Sequence, residues 1–236
     1  MDLSRQTELV RRPVPNVLLI GAGATGFHTG LALVGAGCAG VEVWDYDTIE
    51  KSNLNRQLYG VENVGRYKAE VLVEMMYALN PDGDYHAIFE EMDPYKVSGD
   101  HLRNYSIIIN AADNLYFHGM LWKKLKAVSK KHPRSFFYIS PRMSAFDMEV
   151  QTFITPFDNP WEIFQTKEER MEIEKSRSGC TSGGDKTYGQ SVVTTSMVLA
   201  GFTVQEVINR VNNEPTHEWF RMDIESGKIE MNERRK

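Results

Sequence analysis

Short apolar runs alternate with longer amphipathic stretches through the first half of this chain. "NVLLI" (Asn16 to Ile20) predicts a buried strand, apolar positions from about Ala24 to Val34 predict a helix, and "VEVWD" (Val41 to Asp45) predicts a second strand. That order is a right-handed strand-helix-strand unit. "YKAEVLVEMMYALN" carries apolar residues at helical spacing and stops at Asn80, where Pro81 disfavours continuing the helix. "DYHAIFEEM" and "YSIIINAAD" predict a third and a fourth strand, and "MLWKKLKAVSKKH" an amphipathic helix with a basic face. From Phe136 the rhythm changes: "FFYIS" and "MEVQTFITPF" predict strands with no long helix between them. A charged excursion follows, "NPWEIFQTKEERMEIEKSRSGCTSGGDKTYG", and then "QSVVTTSMVLAGFTVQEVINRV", a long apolar helix expected to be mostly buried. "WFRMDIESGKIEM" reads as a closing hairpin and "NERRK" as a solvated tail. The fold class is α/β: a Rossmann-like, doubly wound, mostly parallel sheet with antiparallel edge strands in the C-terminal half.

Composition narrows the field. The 236 residues suit a single domain able to bury roughly 70% of its unfolded surface. A formal charge of -5 offers no basic footprint, so nucleic acid is not an expected partner. The apolar runs fall short of a membrane span, and "MDLSRQTELVRRPVPN" lacks a signal-peptide core, so the expectation is a cytoplasmic protein with no membrane partner. The two cysteines, Cys38 and Cys180, cannot make a four-cysteine zinc site, and no structural zinc is expected.

Candidate chemistry begins at "GAGATG". Gly21, Gly23, Ala24 and Gly26 directly follow a strand and open a helix, where backbone N–H groups can approach a phosphate. Asp45 ends the next strand, a position suited to a ribose hydroxyl. Those features alone fit a nicotinamide or flavin oxidoreductase. The loop "DYDTIEKSNLNRQ" argues otherwise, since Asp47, Asn53, Asn55, Arg56 and Gln57 exceed what a dinucleotide needs. An Arg beside amides suits phosphate oxygens, and Lys68 at the head of the next helix adds a second cation. Asp113 and Asn114 close the strand "YSIIINAAD", on the carboxyl side where ligands collect, and a carboxylate there suits magnesium.

"GAGATG", "DYDTIEKSNLNRQ", "VGRYKAE", "ALNP" and "NAADN", in that order, resemble the adenylation domain of the ThiF/MoeB family, whose fold is shared with ubiquitin-activating enzymes. The resemblance is strong over Asn16 to Asn114 and weaker beyond. It implies one adenylation domain over residues 1–236, with a crossover loop at about 157–189 carrying Cys180. It also implies an enzyme that uses ATP and Mg2+ to adenylate the C-terminal glycine carboxylate of a ubiquitin-like or sulfur-carrier protein. By position, Asp45 would hold the ribose; Asn53, Arg56 and Lys68 the phosphates, with Gln57 supporting them; and Asp113 the magnesium. Asp47 and Asn114 fall in the same nucleotide-contacting set.

The same resemblance implies a homodimer and sometimes a downstream conjugating enzyme. Arg5, Arg11 and Arg12 are candidates to reach a partner subunit's site. "SGCTSGGDKTYG" resembles the setting of the cysteine that takes the adenylated tail as a thioester, so Cys180 is the candidate nucleophile, with Arg177, Lys186 or a helix N-terminus to activate it. Sulfur-carrier enzymes that complete adenylation without a thioester are the alternative. Cys38, among small residues at a helix end, reads as packing. The chain departs from the family in lacking paired CxxC motifs and in placing "LYFHGM" after the Asp-Asn pair, with His118 the nearest polar substitute for an Arg. Arg142 is open between a contact to the incoming tail and a structural ion pair. An inactive scaffold subunit is a third reading, disfavoured by the complete set of Arg56, Lys68 and Asp113.

Overall fold

Val17 and Leu19 point into one hydrophobic core and Leu18 and Ile20 into another, so the first strand is apolar on both faces. The reason is its place in the sheet. In the computed structural model, which describes residues 1–143, 147–158 and 193–234, β1 (Val17–Ile20) is the centre of five parallel strands. Parallel sheets covered on both faces require such uninterrupted apolar strands.

The order of the elements is β1, α1 (Ala24–Gly35), β2 (Gly40–Trp44), α2 (Lys68–Leu79), β3 (Asp84–Ile88), α3 (Gly99–Leu102), β4 (Ile107–Asn110), α4 (Leu115–Lys131), β5 (Phe137–Met143), β6 (Asp147–Ile154), α5 (Val193–Asn212), β7 (His217–Asp223) and β8 (Ile229–Glu233). The strands run β3-β2-β1-β4-β5-β6-β7-β8, with β3 to β5 parallel and β6 to β8 antiparallel. Helices α1, α2 and α5 pack on one face through residues such as Phe27, Leu72 and Leu199. The other face is covered by α3 and α4 through Leu102, Leu121 and Trp122. The chain leaves β1 toward β2 and returns to β4 on the opposite side, so the crevice between the carboxyl ends of β1 and β4 is a topological switch point.

The parallel first half and the antiparallel C-terminal strands agree with the hydrophobic pattern; several details do not. Helix α4 begins five residues before Met120, because the Asn114 side chain accepts from the Phe117 N–H and caps it there. The third strand ends at Ile88 rather than running to Met92. Helix α5 buries one face only and leaves Met197 and Val198 exposed. The tail is not simply solvated: Asn232 and Glu233 pair in β8, and Arg234 pairs with Asp158 at 2.5 Å and donates to the Thr152 carbonyl. Among the described residues no helix is long and apolar enough to cross a membrane.

Candidate active site

The turn after β1 is built from backbone. Gly21 has φ +91°, a left-handed conformation that only glycine adopts without strain, and its N–H donates to the Trp44 carbonyl. A Cβ on Gly26 would lie 1.8 Å from the Gly21 carbonyl oxygen, so helix and turn meet at a distance that excludes any side chain. Gly23 caps α1 with no side chain over its first N–H groups, which leaves them directed at whatever anion sits in the turn.

Asp45 tethers that turn to the next loop. One carboxylate oxygen accepts the Ala22 N–H at 2.6 Å and the other the Asp47 N–H at 2.8 Å. Each oxygen keeps a further lone pair for a ligand hydroxyl. Burial raises the Asp45 pKa, while the Ala22 bond and the Lys68 charge pull it back down.

Lys68 is only 7% exposed, and its ammonium lies 2.7 Å from Asp47, whose side chain is 53% exposed. The same two residues are joined through their backbones, Lys68 N–H to Asp47 carbonyl at 2.9 Å. The Tyr59 hydroxyl lies 2.9 Å from the Ala22 carbonyl and 3.2 Å from that of Lys68. It therefore ties the glycine turn to the head of α2. Tyr59 was not among the expected site residues, although it stands two positions after Gln57 in the same loop.

The remaining loop residues divide their work. Asn53 accepts from the Glu50 N–H in a reciprocal capping box over the 3₁₀ turn Lys51–Asn53. Arg56 donates to the Ser52 carbonyl and to Asn55, so Asn55 shapes the loop by steadying the guanidinium. His28 on α1 holds the Arg56 carbonyl at 3.1 Å, and burial lowers its pKa. Gln57 is 3% exposed, its Oε1 has no partner among the described residues, and its amide nitrogen lies 4.0 Å from where a Cβ on Gly23 would stand. A buried amide oxygen left unpaired beside the glycine turn is costly unless a ligand or water completes it.

On the β4 side, Asp113 is exposed and Asn114 commits its oxygen to capping α4. Burial and, less strongly, the carboxylates of Asp47, Glu91, Asp45 and Asp113 raise the Tyr46 phenol pKa.

His118 does not stand in for a surface Arg. It is 6% exposed, beneath the site, because the early start of α4 turns it inward. Burial pushes its pKa down to about 4, Arg142 acts in the same direction, and the Ala112 bond and Asp113 oppose it. The folded ring thus refuses a proton that the unfolded ring accepts near pH 6.5. Stability from this group is complete above that value and drains away as pH falls toward 4, by roughly 3 kcal/mol. Urea melts at several pH values should show the wild type losing more stability than His118→Gln across this window.

Arg142 pairs with Glu149 at 2.7 Å, and Glu149 also binds Arg221 at 3.0 Å, so the ion-pair reading of Arg142 is the one found. Arg11 pairs within its own chain with Glu214, and the neighbouring Leu9 carbonyl accepts from Asn212, which docks the N-terminal segment on the end of α5. Cys38 is buried, and burial pushes its thiol up to about 12, as packing requires. Cys180, Arg177 and Lys186 lie outside the described residues, as does most of the 157–189 loop.

A family model described as "ThiF family" matches residues 6–235. The chain belongs to the ThiF family. Among relatives of this ThiF-family chain, the "Adenylyltransferase and sulfurtransferase uba4" of Aspergillus fumigatus is 36% identical over 99 residues, 42% of this chain and 20% of that protein. The "Sulfur carrier protein adenylyltransferase" of Thermus thermophilus is 36% identical over 104 residues, 42% of this chain and 36% of that protein. These matches span between a fifth and about a third of the relatives' lengths. Among solved structures, E. coli MccB with ATP superposes at TM-score 0.69 and 18% identity, covering 97% of this chain and 64% of that one. PaaA does so at TM-score 0.69 and 17% identity, covering 96% and 65%. The agreement with these structures is one of fold.

Proposed function

We propose that this ThiF-family chain uses ATP to adenylate the C-terminal carboxylate of a small ubiquitin-like or sulfur-carrier protein. The observation that carries the reading is the joint made by Asp45 and Tyr59, which binds the glycine turn at Ala22 to the buried cation Lys68. A dinucleotide oxidoreductase has no use for a buried ammonium at that point, whereas a triphosphate does.

The residues present fit a nucleotide. The uncapped start of α1 supplies N–H donors, Gly23 leaves the adjoining space open, and Gln57 offers an unpaired buried oxygen. A Mg2+ ion would be held by Asp113 and by phosphate oxygens, a ligand set that needs only one or two protein carboxylates. It would supply charge neutralisation for the triphosphate. The incoming carboxylate is already ionised at pH 7 and needs no general base. Its oxygen bonds to the α-phosphorus, the bond from that phosphorus to the bridging oxygen breaks, and pyrophosphate leaves. Arg56, Lys68 and the helix N-terminus offset the like charges that meet there.

In the second stage the Cys180 thiolate attacks the acyl carbon, forming a thioester and releasing AMP. The names of the Aspergillus and Thermus relatives favour a sulfur-carrier substrate, for which that stage is dispensable. A cytoplasmic homodimer completes the reading; Arg5, whose side chain has no partner among the described residues, is the arm that reaches across. With ATP, Mg2+ and a carrier ending in Gly-Gly, the wild type should scramble labelled pyrophosphate into ATP. Asp113→Ala should cut that exchange about a hundredfold. Undiminished exchange in Asp113→Ala would defeat the assignment. A reductant-sensitive carrier adduct, lost in Cys180→Ala and kept in Cys38→Ala, tests the second stage.

A further inference from the structure

The peptide of Ala112, one residue before Asp113, is held on both sides by buried side chains. Its N–H donates to Asn110 Oδ1 at 3.2 Å, and its carbonyl lies 2.8 Å from His118 Nε2. A carbonyl can only accept, so Nε2 carries the proton and Nδ1 of the neutral ring is an acceptor. The Tyr138 hydroxyl lies 2.9 Å from Nδ1 and the Ser140 hydroxyl 3.2 Å. Asn110 Nδ2 donates to the Tyr138 oxygen at 2.8 Å. One direction of bonding satisfies the whole set: Asn110 to Tyr138, Tyr138 to His118, His118 to the Ala112 carbonyl, with Asn110 also taking the Ala112 N–H. Asn110, Tyr138 and Ser140 are all buried, so water cannot readily replace a broken link.

The clamped peptide also touches the phosphate turn. A Cβ on Gly21 would lie 3.1 Å from the Ala112 nitrogen and 3.0 Å from the Ala111 carbonyl carbon. Asp113 itself is exposed, and its carboxylate has no hydrogen-bond partner among the described residues. Its position is therefore set through the backbone that precedes it.

We propose that His118, acting with Tyr138 and Asn110, is a positioning residue that locks the Ala112 peptide and thereby fixes where the Asp113 carboxylate stands relative to the phosphate turn. The proposal rests on Asp113 being a nucleotide-site carboxylate. A neutral imidazole suits the task, because it donates firmly without setting a positive charge beside a carboxylate meant for a cation.

Two measurements on the full chain separate the clamp from the chemistry. In the ligand-free protein, amide hydrogen exchange at Ala112, whose N–H is held by Asn110 in the same network, should accelerate at least about tenfold in His118→Leu while the amides of β1 keep their protection. His118→Gln, whose amide can donate to the same carbonyl, should stay within about threefold of wild type. With ATP present, His118→Leu should weaken Mg2+ binding by about ten- to a hundredfold and leave metal-free ATP affinity unchanged, with rescue by Gln. If His118→Leu does not fold, Tyr138→Phe, which removes the hydroxyl facing Nδ1, should give the same local exchange on a smaller scale. Exchange that rises evenly through the core with no excess at Ala112, or Leu and Gln variants that behave alike, overturns the proposal. A wild type that binds no ATP instead overturns the nucleotide reading, and the exchange measurement still decides the clamp.

Discussion

Lys68→Met should lower carrier-dependent pyrophosphate exchange by about a thousandfold while the protein stays folded. The loss has two sources. A phosphate cation disappears, and the Asp45 and Asp47 carboxylates that face Lys68 are left without a counter-charge just where a triphosphate must enter. Folding should survive, because Met keeps the length of the buried stem and Asp47 is exposed enough to be solvated. Lys68→Arg should rescue little, since a planar guanidinium is bulkier than the compact ammonium that fits this buried position. Exchange kinetics and ATP titration on the same preparations check this. A Lys68→Met enzyme within a few-fold of wild type would mean that the Asp47–Lys68 pair only braces the loop.

Gly26→Ala should be the most damaging single methyl group in the nucleotide half. Alanine is ordinarily the better helix former by about 1 kcal/mol. Here its Cβ would stand 1.8 Å from the Gly21 oxygen and 2.8 Å from the Gly21 carbon, both backbone atoms that cannot rotate aside. The expected cost is about 3 kcal/mol, a fall in Tm of roughly 6–12 °C for a chain of this size, together with loss of ATP binding as the turn is pushed open. Gly35→Ala, in the same helix, is the control. Nothing lies within 4 Å of its Cβ position, so it should stabilise by about 0.5–1 kcal/mol. Thermal melts of the two variants should move in opposite directions; a shared direction would show that the close approach at Gly26 is not what decides.

The sheet was legible wherever apolar runs were short and bounded, as at Val17–Ile20 and Ile107–Asn110, because burial on both faces writes an unbroken run. The glycine turn and the loop from Asp45 to Gln57 are legible as inventory. Their division of labour is not. Asp47 is bonded to a lysine 21 positions away, and nothing local to "DYDTIEKSNLNRQ" says that it guards a cation while Asn55 steadies Arg56. The start of α4 is hard to read because Asn114 suits a ligand as well as a cap, and with it the inward turn of His118 stays hidden. The pairing of Arg234 is invisible locally because its partner Asp158 lies 76 positions away.

The register of the central strands also governs when the site comes into being. Val17 pairs with Ile107, about 90 positions along the chain, and closing that interval is among the slower acts available to a chain of this topology. A chain that has formed only β1 to β3 owns the glycine turn, Asp45 and Lys68, yet lacks the Ala111–Ala112 wall and Asp113 altogether. A site built from both halves is thus complete only once β4 has found its place beside β1.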